Sequence, residues 1–132
     1  MRRPPDAIAP DGSEIRFLVP PPPGAEERCP PPDRDARTAS LVEVRLPAGE
    51  HSRPVRHRTV EEIWYVLSGR GELWRRAPGG DEHRDPLEPG GTAVIPTGWA
   101  FSFSASEGAD LVFLCHTSPP WPGAEEAEPA DR

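Results

Sequence analysis

The chain has 132 residues, 20 of them proline and 12 glycine, and its formal net charge is −7. This length gives room for one domain, and the acidic balance argues against nucleic acid as a partner, because phosphate neutralisation needs a basic face. The sequence contains arginine but no lysine, which excludes Schiff-base and P-loop chemistry. No apolar run reaches the length of a membrane-spanning helix, so no membrane partner is predicted.

The prolines cluster at the two ends of the sequence. Ten lie in residues 1–32 and four in residues 119–132, with only six between them. This distribution predicts a Pro-rich N-terminal arm over residues 1–37, a globular domain over residues 38–118, and a tail over residues 119–132. Within the tail, the Pro-framed Trp121 is interpreted as an anchor onto the domain surface, and the acidic end predicts disorder.

Short strands separated by turns are predicted in chain order. The arm holds one candidate strand at Glu14–Val19, and the domain begins with Ser40–Leu46, which alternates apolar and polar residues. Further strands are expected at residues 62–67, 72–75, 92–95, 100–104 and 110–116. No helical periodicity of useful length is present, so seven or eight strands predict an all-β barrel or sandwich.

The two cysteines lie in different surroundings. Cys29 lies in the Pro-rich arm and Cys115 in an apolar run near the end of the domain. A disulfide between them is possible but not required, and two free thiols in a reducing cytoplasm are the simpler interpretation. The first ten residues contain no apolar signal core, so no secretory signal is predicted and a cytoplasmic location is expected.

Two spaced motifs carry the most specific information. The first combines Gly49, Val55, His57, Glu62 and Gly69. Its spacing resembles the first motif of the cupin superfamily, which reads Gly, five residues, His-x-His, three or four residues, Glu, six residues, Gly. The resemblance implies a small cupin-type jelly-roll β-barrel, often dimeric, with its active cavity inside.

The second motif follows at the expected distance. Its pattern is Gly, five residues, Pro-x-Gly, two residues, His, three residues, Asn, and the chain supplies Gly90, Pro96, Gly98, Phe101 and Ala105 at those positions. Together the two motifs cover residues 49–105. The second motif keeps its turn residues but has phenylalanine where the family has histidine.

These departures bear on metal binding. The resemblance implies a metal held by three histidines and one glutamate, but Val55 and Phe101 replace two of the histidines, which leaves His57 and Glu62. Two protein ligands form an incomplete site for a divalent transition metal. His116, on the last predicted strand, is the best substitute for a third ligand. The weaker candidates are His51 and His83.

The two-residue period of a strand predicts which side chains face inward. If Glu62 faces inward, Trp64 and Val66 do too, while Ile63, Tyr65 and Leu67 form an outer face that suits a dimer surface or lies under the arm. The predicted ligand cavity is lined by Val55, Trp64, Val66, Phe101 and Phe103. Alternatively, these side chains fill the interior and leave no cavity.

Two functional hypotheses follow. In the first, the chain is an enzyme of isomerase, epimerase or cyclase type, with or without a metal, in which His57 and Glu62 are catalytic; such a pair can act as a general base with an orienting partner. In the second, it binds a small molecule without catalysis and without metal, and the pair is a static buried contact. A homodimer is expected in both cases. An anion site at the barrel mouth, through Arg53 or Arg56, is a further alternative.

Overall fold

The computed structural model describes residues 3–25 and 36–132, and this part of the chain is nearly all β-structure. A single turn of 3-10 helix at Ala124–Glu126 precedes the last strand. No described helix is long and apolar enough to cross a membrane. The strands are β1 (Ala7–Ile8), β2 (Glu14–Val19), β3 (Ser40–Leu46), β4 (Val55–His57), β5 (Glu61–Ser68), β6 (Gly71–Arg76), β7 (Glu82–Leu87), β8 (Thr92–Ile95), β9 (Ala100–Ala105), β10 (Leu111–Ser118) and β11 (Ala127–Pro129).

The strands form two antiparallel sheets. One has the order β1-β2-β3-β10-β5-β8 and the other the order β11-β4-β9-β6-β7. Neighbours in space are distant in sequence, as in a jelly roll: β10 pairs with both β3 and β5. The prediction of an all-β jelly roll is confirmed, although the two sheets remain separate hydrogen-bonded units.

Aromatic side chains join the two sheets across the interior. Trp64 of β5 stacks on Phe113 of β10 at 4.0 Å between ring centroids. Its edge meets Phe103 of β9, in the opposite sheet, at 5.1 Å. Such offset and edge-to-face contacts stabilise a core beyond the area they bury. The alternation predicted for β5 is confirmed, since Glu62, Trp64 and Val66 are buried and the residues between them are exposed.

Gly69 shows why the first motif ends in glycine. Its φ is +79°, in the left-handed region, which side chains other than glycine rarely adopt. A Cβ atom there would lie 2.1 Å from the carbonyl oxygen of Asp110. The close approach of this turn to the start of β10 therefore requires glycine.

Several strands lie where the sequence did not predict them. β7 is exposed except for Leu87 and contains Pro86, so it lacks the apolar alternation by which a strand is recognised. It is the edge strand of its sheet, where proline is tolerated because no hydrogen bond is lost. Together with β1, β4 and β11 it raises the number of strands in the described residues to eleven.

The acidic tail is ordered, which corrects the expectation of disorder. Strand β11 pairs with β4, and the Glu126 carboxylate accepts hydrogen bonds from the Thr59 hydroxyl at 2.6 Å and the Val60 backbone N–H at 2.8 Å. The Thr59 backbone N–H also donates to it. Composition alone does not reveal this docking, because the partners of the tail lie far from it in sequence.

The N-terminal arm becomes part of the domain. β2 covers the six residues of the candidate strand and pairs with β3, and β1 pairs with β2. Cys115 is free and buried, whereas Cys29, the other partner of the proposed disulfide, lies outside the described residues. The arm therefore extends one sheet instead of lying apart from it.

Candidate ligand cavity

A cavity of about 390 Å³ lies at one end of the interior. Its walls come from the arm, from both sheets and from the tail, and most of the lining side chains are apolar. The alternative of a completely filled interior is therefore overturned at this end. The lining residues are Ala7, Ile8, Ala9, Asp11, Ser13, Ile15, Phe17, Val19, Pro20, Ser40, Val42, Val44, His57, Glu62, Trp64, Phe101, Phe103, Phe113, Cys115, Thr117, Trp121, Gly123 and Ala124.

The predicted cavity residues separate into two groups. Trp64, Phe101 and Phe103 line the cavity, together with His57 and Glu62. Val55 and Val66 belong to the same buried hydrophobic cluster as these aromatic residues but are absent from the cavity lining. Their inward direction was predicted from strand periodicity, but periodicity does not tell which part of the interior is filled.

The arm supplies a wall that the sequence analysis missed. Alternate residues of β2, namely Ile15, Phe17 and Val19, face the cavity, and Asp11 and Ser13 precede them. Ser13 donates to Asp11 Oδ1 through both its backbone N–H, at 2.9 Å, and its hydroxyl, at 2.7 Å. The two-residue period of β2 was the signal that could have revealed this wall.

His57 and Glu62 lie side by side without forming a hydrogen bond. His57 ends β4, and its carbonyl accepts from the Gly98 N–H at 3.1 Å. Its Nδ1 lies 3.3 Å from Glu62 Oε2, but Nδ1 is buried and has no hydrogen-bond partner among the described residues. Glu62 is oriented instead by Trp64, whose indole N–H donates to Oε1 at 2.7 Å.

Burial makes both groups of this pair neutral over a wide pH range. It raises the pKa of Glu62 to about 7, aided by the nearby Asp11 and opposed by hydrogen bonds from Trp64 and Cys115. It lowers the pKa of His57 to about 4, against the attraction of Glu126. Between these values a neutral imidazole faces a neutral carboxylic acid.

The side chains present do not complete a metal site. His116 alternates with Cys115 along β10 and pairs with Leu41 and Ile63 on its neighbours, and it is absent from the cavity lining. Its placement corrects the hypothesis that it supplies a third ligand. Phe101, at the position of a family histidine, packs its ring edge-on against His57 at 5.1 Å. No group of three or more His, Cys, Asp or Glu side chains in the described ranges could hold a metal ion.

The remaining histidines and the candidate anion-binding arginines also lie away from this cavity. His51 is exposed, as is His83, which stacks on Trp99. Arg53 and Arg56 do not contribute to the lining. Within residues 3–25 and 36–132, no arginine side chain therefore lines the cavity, and lysine is missing from the whole sequence.

The tail closes one side of the cavity through Trp121. Its ring meets His57 edge-on at 5.1 Å, and its backbone N–H donates to the Ser40 hydroxyl at 2.9 Å. That hydroxyl also forms a short hydrogen bond with Thr117. Trp121 thus packs against the domain and contributes to the cavity wall.

Comparison with known proteins identifies the family. A family model described as Cupin domain matches residues 42–117, which is more than half of the chain. The chain therefore belongs to the cupin family, as the two motifs predicted.

Individual proteins are similar to this chain over part of its length or at low sequence identity. A glucose-6-phosphate isomerase of Thermococcus gammatolerans is 36% identical over 53 residues, which are 40% of this chain and 28% of that protein. An oxalate oxidase in complex with the substrate analogue glycolate superposes with a TM-score of 0.69 at 19% identity, covering 92% of this chain and 58% of the other. A Klebsiella pneumoniae protein with a double-stranded β-helix domain superposes with a TM-score of 0.60 at 18% identity, covering 74% of this chain and 78% of the other.

The chain spans less than a third of the isomerase and little more than half of the oxalate oxidase. At these identities the structural likeness shows the fold alone.

Proposed function

We propose that this cupin binds a small, mostly apolar organic molecule in the cavity between its two sheets. The observation that carries the proposal is the cavity itself: about 390 Å³, with aromatic walls and a few polar groups at one side. This size and lining are typical of small-molecule sites, in which apolar walls supply affinity and a few polar groups fix orientation.

A cavity-filling substitution tests this function. Ala9 lies on the cavity wall, whereas Ala48 is exposed in the turn after β3. Saturation-transfer NMR against a library of small aromatic compounds should find ligands for the wild type and for Ala48→Trp. Ala9→Trp should lose them, because the indole would occupy their space. Equal binding by both variants would show that the ligands lie elsewhere.

A specific observation also favours proton-transfer catalysis as a second candidate. The pKa of Glu62 is raised to about 7, which suits a general acid or base near neutral pH, and the unpartnered His57 Nδ1 lies beside it. In this proposal Glu62 transfers a proton to or from the bound molecule, the Trp64 indole N–H orients the Glu62 carboxyl group, and His57 lies beside that group. The similarity to a glucose-6-phosphate isomerase is compatible with such a reaction. A carboxyl group can transfer a proton without a bound metal.

Deuterium exchange separates catalysis from binding. A ligand found in the screen, incubated with the protein in D₂O, should exchange one carbon-bound hydrogen for deuterium. Glu62→Gln should still bind that ligand but exchange it at least about a hundredfold more slowly, in the range of general acid–base contributions. Equal exchange by the variant would remove Glu62 from any catalytic role.

We further propose that the outer face of β5 and β8 mediates a homodimer. Four large apolar side chains are exposed there to between 42% and 46%: Ile63, Tyr65, Leu67 and Val94. Light scattering coupled to size exclusion should give a dimer mass for the wild type and a monomer mass for Tyr65→Arg. An unchanged mass for the variant would assign this face another role.

A further inference from the structure

The polar groups of the cavity include three hydrogen-bond acceptors from three separate elements. Asp11 comes from the arm, His57 from β4 and Glu62 from β5, and all three line the cavity. Their exposed fractions are 9%, 4% and 7%. The His57 Nδ1 atom has no partner among the described residues, which leaves a buried polar atom for a ligand to satisfy.

The charge of the lining selects against anions. Among the described residues no arginine lines the cavity, so a carboxylate or phosphate bound there would lose its hydration without an arginine of this lining as a counter-charge. Arg53 contacts the arm through two hydrogen bonds to its backbone: the Arg53 N–H donates to the Asp11 carbonyl at 2.8 Å and the guanidinium donates to the Pro10 carbonyl at 3.2 Å. The positive charge of Arg53 also acts on the Asp11 carboxyl group and opposes the rise in its pKa that burial causes. The Arg53 side chain is exposed and does not reach the cavity wall.

Aromatic rings surround the same space. Trp64, Phe101, Phe103, Phe113 and Trp121 line the cavity together with Phe17 of the arm. The π-faces of such rings attract cations electrostatically, and the attraction increases when water is excluded. A cation in this cavity therefore meets ring faces that attract positive charge and two carboxyl groups that attract it when they are ionised.

Resting on the proposed ligand-binding function, we propose that the cavity takes a primary organic amine with an apolar body. The ammonium group carries three N–H donors, and Asp11, Glu62 and His57 Nδ1 supply three acceptors. The apolar body lies along the aromatic walls. Asp11 is the residue that this proposal adds to the site, because it belongs to the arm and to neither cupin motif.

Three probes of similar shape test the charge preference. Isothermal titration calorimetry should compare 2-phenylethylamine, 2-phenylethanol and 3-phenylpropionate. These probes carry an ammonium, a hydroxyl or a carboxylate at the end of the same phenylethyl group. The amine is expected to bind at least about tenfold more tightly than the alcohol, since hydrogen bonds to charged groups are the stronger ones. The carboxylate is expected to bind weakest.

Substitutions of the hydrogen-bond acceptor residues test which side chains cause the preference for an amine. Asp11→Asn and Glu62→Gln should each weaken amine binding by about tenfold and change alcohol binding by less than about threefold. Asp81→Asn, in an exposed turn, serves as the matched control and should change neither. Circular dichroism checks that each variant is folded, and the comparison of probes in the wild type decides the matter without any variant.

The outcomes separate this proposal from the one on which it rests. Alcohol binding as tight as amine binding, or tightest binding of the carboxylate, would overturn the amine preference while leaving ligand binding in place. Absence of binding by all three probes would also overturn it. If, in addition, Ala9→Trp retained every ligand found in the screen, the cavity itself would be excluded as the binding site.

Discussion

The two ends of this molecule's interior differ in how they are filled. At one end, leucines from three strands, Leu73, Leu87 and Leu111, belong to a fully buried core. At the other end, the same two sheets enclose a cavity of about 390 Å³ that is bordered by Asp11 and Trp121. Both ends are buried, but only the second has polar groups placed among apolar walls.

The difference follows from which segments of the chain build each end. The packed end is made by residues within the matched cupin region, 42–117. The cavity end depends on the arm and the tail, both of which lie outside that region. The cupin region therefore provides His57, Glu62 and part of the walls, and the arm and the tail add the remaining walls and Asp11.

The largest effect on stability is expected from a substitution in the packed end. Leu73 has no exposed surface, so Leu73→Ala should lower the free energy of unfolding by about 4 kcal/mol, through lost transfer free energy and an unfilled cavity. Urea denaturation measures it. Leu18→Ala, at a half-buried position of β2 outside the cavity lining, is the matched control and should cost less than about 2 kcal/mol. Similar losses for both variants would contradict the packing described for this end.

A pH titration tests the polar side of the cavity end. The pKa of Glu62 rises from 4.5 to about 7 on folding, so between these pH values the folded protein holds a proton that the unfolded chain releases. The free energy of unfolding of the wild type, relative to Glu62→Gln, should therefore fall as pH rises from 4.5 to 7, by on the order of 3 kcal/mol.

His57 acts in the opposite direction. Its lowered pKa makes stability increase with pH between about 4 and 6.5. Because His57 is present in both proteins, the difference between wild type and Glu62→Gln isolates the glutamate. Parallel stability curves for the two proteins, from denaturation at a series of pH values, would show that Glu62 is not neutral in the folded state.

A smaller effect is expected from detaching the tail. The Glu126 carboxylate accepts bonds from Thr59 and Val60, so Glu126→Gln should lower the free energy of unfolding by about 2 kcal/mol, since hydrogen bonds to charged groups are lost. Hydrogen exchange should increase at the β11 amides. Glu125, exposed in the same helical turn, provides the control. If Glu125→Gln lowered the free energy of unfolding by the same amount, the loss would come from the removal of a negative charge and not from the hydrogen bonds of Glu126.

The smallest stability effect is expected from Trp121→Ala. Trp121 is only half-buried and contacts His57 through a ring edge, which is worth about 1 kcal/mol. Ligand binding should nevertheless weaken, because one wall is removed, while Trp121→Phe should preserve most of it. Unchanged affinity in Trp121→Ala would show that the tail closes no part of the binding site.

The sequence predicted the parts of the site that follow from local periodicity and spacing. The directions of Glu62 and Trp64 follow from the two-residue period of a strand, and the two motifs identified the family. Asp11 was missed because it precedes a strand in a segment whose composition is dominated by proline. The tail was misjudged because its contacts are made with segments distant in sequence: β11 pairs with β4, and Glu126 accepts from a backbone N–H more than sixty residues away.

What the sequence determined by itself was the all-β cupin fold and the loss of two ligand positions, at Val55 and Phe101. Only the tertiary structure decided that His116 faces away, that Val66 packs while Trp64 borders an open space, and that Asp11 joins His57 and Glu62. The physical reason is that backbone geometry sets the alternation of side chains along each strand. Where empty space remains depends instead on how segments distant in sequence meet.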